Sequence, residues 1–141
     1  NLARMGKEEN IHFIDRTFTT NSHKALLLAE AVRESGSGVF ELVNEALFRA
    51  YFSEGKNIGD AAVLRRIAEE AGVPGETVDS AWSDPRFEER LKRQHDVASR
   101  VGVTGIPTFV LGSKWILEGA VPTEMLAKVA QEVIVVSGRG T

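Results

Sequence analysis

The sequence predicts an α/β protein, mostly helical, in which a β-hairpin and a closing helix follow a long helical part. Three observations predict it. Between residues 23 and 98 apolar side chains recur at three- and four-residue steps, the spacing that gathers them on one face of a helix. The pattern then changes to two short β-rich runs, Thr108-Phe109-Val110-Leu111 and Trp115-Ile116-Leu117, joined by Gly112-Ser113-Lys114. Such runs around a Gly-containing turn read as a hairpin. Finally, Glu118-Gly119-Ala120-Val121-Pro122-Thr123-Glu124 leaves the hairpin and opens a helix, with Gly in the turn and Pro near the first helical position.

Taken in order, Leu2-Ala3-Arg4-Met5 reads as the tail of a helix with Gly6 as its terminator. Residues 10–15 read as a short extended segment. Asn21 or Thr20 caps the next helix, which carries Ala25, Leu26, Leu28, Ala29 and Val32 and stops at Ser35-Gly36-Ser37-Gly38. From Val39 to Ser53 the stripe is Phe40, Val43, Leu47, Ala50 and Tyr51, and Gly55 ends that helix. Leu42, Ala46 and Phe48 widen the stripe, so this helix is expected to be buried on more than one side. Asp60 to Ala71 forms a helix on Ala61, Leu64, Ile67 and Ala68, and a short one follows with Val78, Ala81 and Trp82. Asp84-Pro85 caps and starts a long helix to about Val101, its inner face Phe87, Leu91, Gln94, Val97 and Ala98. The last helix, Pro122 to about Val136, carries Met125, Leu126, Val129 and Val133. The expected division is residues 1–101 as a helical subdomain and residues 102–141 as the hairpin-and-helix portion.

Composition narrows the function classes. Hydrophobic content of 43% and charged content of 26% are those of an ordinary soluble protein. No apolar run approaches the ~20 residues of a membrane helix, and the start lacks a signal-peptide core. A cytoplasmic chain without a membrane partner is expected. The start also lacks an initiator Met, which reads as a fragment or a processed chain. A net charge of −3 argues against nucleic acid. There is no cysteine, so these residues carry neither disulfide, thiolate metal site nor thiol chemistry.

The stretch Gly102-Val103-Thr104-Gly105-Ile106-Pro107-Thr108-Phe109 resembles the corresponding motif of the DsbA family, specifically its FrnE-like branch. Thr20-Asn21-Ser22-His23-Lys24-Ala25-Leu26 resembles the segment that opens a helix in that branch, and the helix from Asp60 is similar to its counterpart. The resemblance implies the C-terminal part of a thioredoxin fold with a helical insertion. It makes Pro107 a cis proline beside an active-site thiol, and it makes Thr104, Gly105, Ile106 and Pro107, with His23, the substrate-binding residues. A backbone turned outward at residue 106 can accept an extended peptide by main-chain hydrogen bonds.

The chain departs from that family where chemistry is concerned. A complete member opens with a strand, a Cys-x-x-Cys helix and a second strand, and nothing here supplies a thiolate at a helix N-terminus. The expected function is therefore part of a thiol–disulfide oxidoreductase or isomerase that is inert by itself. It has no catalytic residue and no cofactor of its own, and its partner is an extended peptide or thiol substrate. The alternatives are a protein similar to the kappa-class glutathione transferases and hydroxychromene-carboxylate isomerases, or a non-catalytic helical binding or dimerisation module. The resemblance places the family's first strand beside Thr108–Leu111. Without it that apolar edge is unpaired, so a homo-oligomer or strand-exchanged dimer is expected.

Other groupings carry less. His12, His23 and His95 share no metal-ligand spacing, so no metal is expected. Glu8-Glu9, Glu69-Glu70 and Glu88-Glu89 are adjacent and diverge on a helix. Residues 64–78 resemble a helix-turn-helix, but the second helix offers Glu76 and Asp79 and no basic residue before Arg86. Two packed helices explain it better.

Overall fold

In the computed structural model, residues 2–112 and 115–137 are described, without the side chains of residues 2, 136 and 137. The elements run α1 Leu2–Glu8, α2 His23–Arg33, α3 Ser37–Phe52, α4 Ala61–Glu70, α5 Gly75–Ser83, α6 Pro85–Arg100, β1 Thr108–Leu111, β2 Trp115–Glu118 and α7 Thr123–Ser137. The chain divides into two compact units, the first through Arg93 and the second from Gln94.

The first unit is built around α2. Its run Ala25-Leu26-Leu27-Leu28-Ala29-Glu30-Ala31-Val32 is apolar nearly all round, and such a helix belongs inside. Accordingly it packs against α3, α4 and α5. Leu28, Val32, Val43 and Leu64 are fully buried, with Val78 and Phe87 close to it, and each such side chain contributes about 1.5–3 kcal/mol. Glu30 is buried as well, 3.5 Å from Arg33 and 3.8 Å from Arg90. A buried carboxylate is tolerable only with such cations at hand.

Local signals explain most boundaries. Asp60, read from the sequence as the first helical residue, instead caps α4, its side chain accepting from the N–H groups of Ala62 and Val63. Asp84 accepts from the Arg86 N–H at 2.9 Å at the start of α6. Ser22 occupies the cap position of α2, but the acceptor is Asn21, whose Oδ1 takes the His23 N–H at 2.9 Å. Thr20 instead accepts from the Gly59 N–H at 2.9 Å.

Several expectations are corrected. Gly6 does not terminate α1 but lies buried within it. A Cβ there would sit 2.5 Å from both the Ile11 carbonyl oxygen and the Phe13 ring, so the glycine lets the following chain fold back against the helix. Of the segment read as extended, residues 10–15, only Asn10 departs, with φ +57; Ile11 and Ile14 are tied to Gly6 and Phe52 by single main-chain bonds. On α3, Leu42 and Phe48 are 58% and 57% exposed, so the widened stripe is not covered on a second side. Gln94 and Val97 on α6 are likewise exposed. Gly6→Ala should lower stability by about 1–3 kcal/mol, read as a shift of the thermal midpoint; an unchanged midpoint would contradict the close approach.

The second unit holds the end of α6, the hairpin and α7. The strands pair antiparallel with Phe109 opposite Leu117 and Val110 opposite Ile116, and α7 packs on β1. Gly112 has φ +57, and a Cβ on it would lie 2.7 Å from a methyl of Val133. Glycine is required there both for the backbone and for the helix to approach. The rest of the predicted turn, Ser113 and Lys114, lies outside the described residues.

Candidate functional site

The predicted motif is a short connection between α6 and β1. Helix α6 ends where Gly102 takes φ +81 and the Val103 N–H reaches back to the Ala98 carbonyl at 3.0 Å. The chain then runs through Thr104, Gly105, Ile106 and Pro107, all exposed, into β1. The Ile106–Pro107 peptide bond is cis, as the motif predicts.

Three hydrogen bonds hold this connection. The Thr108 hydroxyl donates to the Gly105 carbonyl at 2.6 Å, the Thr104 hydroxyl donates to Glu118 Oε1 at 3.1 Å, and the Gly119 N–H donates to the Pro107 carbonyl at 2.8 Å. Both ends of the turn are thereby fastened to the hairpin. Ile106, between them, is 93% exposed. Among the described residues nothing pairs with its main-chain N–H or carbonyl. A backbone held this way from both sides, with one residue's polar groups left open, can add an extended chain without first ordering itself.

Thr104, Gly105, Ile106 and Pro107 are thus brought together in the second unit. His23 belongs to the first. Its ring Nε2 lies 2.8 Å from Glu88 Oε2, with both side chains about half exposed, which links the first turns of α2 and α6. His12 and His95 are exposed, and no cluster that could hold a metal ion occurs among the described residues. Sequence reasoning missed Glu118 and Glu88. Glu118 becomes legible only once the hairpin register, which sets it opposite Thr108, is known.

The two carboxyl groups whose titration is shifted are surface groups of the first unit. The Arg86 guanidinium and N–H beside Asp84 hold its carboxyl below the usual carboxylate range. Hydrogen bonding from Lys56, against a smaller desolvation effect, lowers Glu54. Neither lies in the 104–107 turn.

The first unit also contains an open groove between α2 and α3 of about 250 Å³. Ala25, Leu47 and Ile58 form its buried floor, and Leu26, Phe48 and Phe52 stand along its sides. Nothing in the sequence marked it beyond the surplus of apolar positions on α3.

The family model of the DSBA-like thioredoxin domain matches residues 1–131. The chain belongs to that family. As a DSBA-like chain it is also similar to two solved structures. A probable DsbA oxidoreductase of Streptomyces coelicolor, SCO1869, superposes with a TM-score of 0.82 at 24% identity, over 94% of this chain and 57% of that one. ScsC of Proteus mirabilis, in a compact conformation, gives 0.61 at 20% identity, over 94% and 72%. At these identities the likeness concerns the fold. Uncharacterized protein YwbO of Bacillus subtilis (strain 168) is 32% identical over 89 residues, 60% of this chain and 42% of that protein. The DSBA-like chain therefore spans less than two thirds of the length of YwbO and of SCO1869. No helix among its described residues is long and apolar enough to cross a membrane.

Proposed function

We propose that this DSBA-like chain is the substrate-receiving part of a FrnE-like thiol–disulfide oxidoreductase. The observation that carries the reading is the open main chain of Ile106, held between Thr104–Glu118 and Thr108–Gly105 hydrogen bonds. An extended polypeptide lies along residues 104–106 and pairs with that backbone, leaving its sulfur close to Pro107. The thiol is supplied from outside these 141 residues, which contain no cysteine. In the reducing direction its thiolate attacks one sulfur of the substrate disulfide, and the other sulfur leaves as a thiolate. A second thiolate, of the enzyme or of the solution, then attacks the enzyme sulfur of the mixed disulfide and displaces the substrate's remaining sulfur as a thiolate, so that two thiols become one disulfide for each substrate disulfide reduced.

The same reading includes self-association. Phe109, Val110, Trp115 and Ile116 are exposed on a two-stranded sheet, and an apolar strand edge of that kind favours pairing with another strand.

The test is a nuclear magnetic resonance titration of the labelled chain with an extended, Ser-for-Cys peptide. The expected result is shifts concentrated at the amides of residues 104–106 and 118–119. Shifts absent from that turn at peptide concentrations of about 1–5 mM, where weak sites of this size fill, would refute the reading. Sedimentation of the same sample tests association, and a monomer over the whole concentration range refutes that part.

A further inference from the structure

Glu118 is the last residue of β2 and lies opposite Thr108 in the hairpin. Directly opposed residues of an antiparallel pair project to the same side of the sheet. The carboxyl group therefore stands on the side from which the Thr108 hydroxyl reaches the Gly105 carbonyl. Two bonds fix it against the turn. The Thr104 hydroxyl donates to Glu118 Oε1 at 3.1 Å, and the N–H of the next residue, Gly119, donates to the Pro107 carbonyl at 2.8 Å. A negative group is thereby held beside Thr104, and no more than about 7 Å of chain separates Thr104 from the open main chain of Ile106.

Fastening the turn does not by itself call for a charge, because a neutral amide carbonyl would accept the Thr104 hydrogen bond equally. A carboxylate offers about four acceptor sites, and Thr104 uses one of Glu118's. The described lysine and arginine of this unit are Lys128 and Arg100. Among the described residues neither pairs with Glu118, which is exposed. An uncompensated negative charge thus borders the edge that is open to an extended chain.

We infer that Glu118 is a specificity-determining residue of this turn. It selects extended polypeptides that carry lysine or arginine within two residues of the reacting cysteine, and it discriminates against those with aspartate or glutamate there. The inference rests on the proposed function for the mode of binding and adds the charge preference. A chain paired along residues 104–106 rises about 3.3 Å per residue, so the neighbours of its cysteine pass alongside Thr104. A cationic side chain at that place meets the carboxylate, and an anionic one meets a like charge. Because the pair is exposed, the preference amounts to a few-fold in affinity and not to an absolute requirement.

Three blocked peptides test it, each with one serine in place of the reactive cysteine and Lys, Gln or Glu at the two residues on either side. Affinities are read by nuclear magnetic resonance at the amides of residues 104–106. The Lys peptide should bind about two- to five-fold tighter than the Gln peptide, and the Glu peptide weaker than both. Raising the salt from about 20 mM to about 500 mM should flatten that order, since exposed charges are screened. Glu118→Gln, which keeps an acceptor for Thr104, should bind the three peptides alike, and Glu118→Lys should reverse their order. Glu132→Gln makes the same change of net charge at an exposed position on α7 and should leave the order as it is. Equal affinities of the unaltered chain for the three peptides, with shifts at 104–106, would overturn this inference and leave the proposed function standing. So would an order that survives Glu118→Gln, the result expected if the carboxylate only fastens Thr104. Shifts absent from 104–106 with every peptide would refute the proposed function, and this inference with it.

Discussion

Added to a dithiothreitol-driven insulin reduction assay, the chain should leave the rate at its buffer value across the neutral pH range. Thiol–disulfide exchange requires a thiolate as nucleophile and as carrier of the electron pair, and among 141 residues there is no cysteine to provide it. Serine cannot substitute, because its hydroxyl is not a reversible two-electron redox group. The effect is the whole of the catalysed rate rather than a fraction of it. A rate above the blank that persists after treatment with an alkylating agent would mean that electrons reach the substrate by a route without a thiol, and the proposed function would fall with it.

Replacing Leu28 by alanine should destabilise the first unit by about 3–5 kcal/mol, the range for emptying a fully buried leucine site. Leu28 has no exposed surface and lies on α2, the helix that α3, α4 and α5 share as a packing partner. The cavity would therefore open at the centre of the unit, where no single neighbour can move in to fill it. Against a total stability of about 5–15 kcal/mol for an ordinary domain, such a loss leaves little. Leu42→Ala, at a position 58% exposed, should change stability by less than about 0.5 kcal/mol. Urea titrations followed by helical circular dichroism separate the two. Equal effects would mean that α2 is not the axis of the core.

These two leucines also show where the sequence was informative and where it was not. Periodicity located the helices between residues 23 and 98, because the three- and four-residue recurrence is a property of the chain itself. It could not say which apolar stripe finds a partner: α3 has more apolar positions than its neighbours can cover, and Leu42 and Phe48 are the remainder. Gly6 was misread because glycine serves equally as a helix stop and as a point of close approach, and only the position of Phe13 distinguishes them. Glu30, inside an apolar run, is buried because Arg90 arrives from a distant helix. At the candidate site the motif around Pro107 was legible, including the cis bond. The Thr104–Glu118 bond that secures it was not, since it depends on strand register.

The uneven distribution of interior residues between the units has a consequence for how the molecule breathes. Leu28, Val43, Leu64, Val78 and Phe87 all belong to the first unit, whereas Val129 is the buried hydrophobic residue of the second among the described residues. In heavy water the amides of α2, α4 and the middle of α3 should take up deuterium only when that unit opens completely. Those of β1 and β2 should label orders of magnitude sooner, through small local fluctuations.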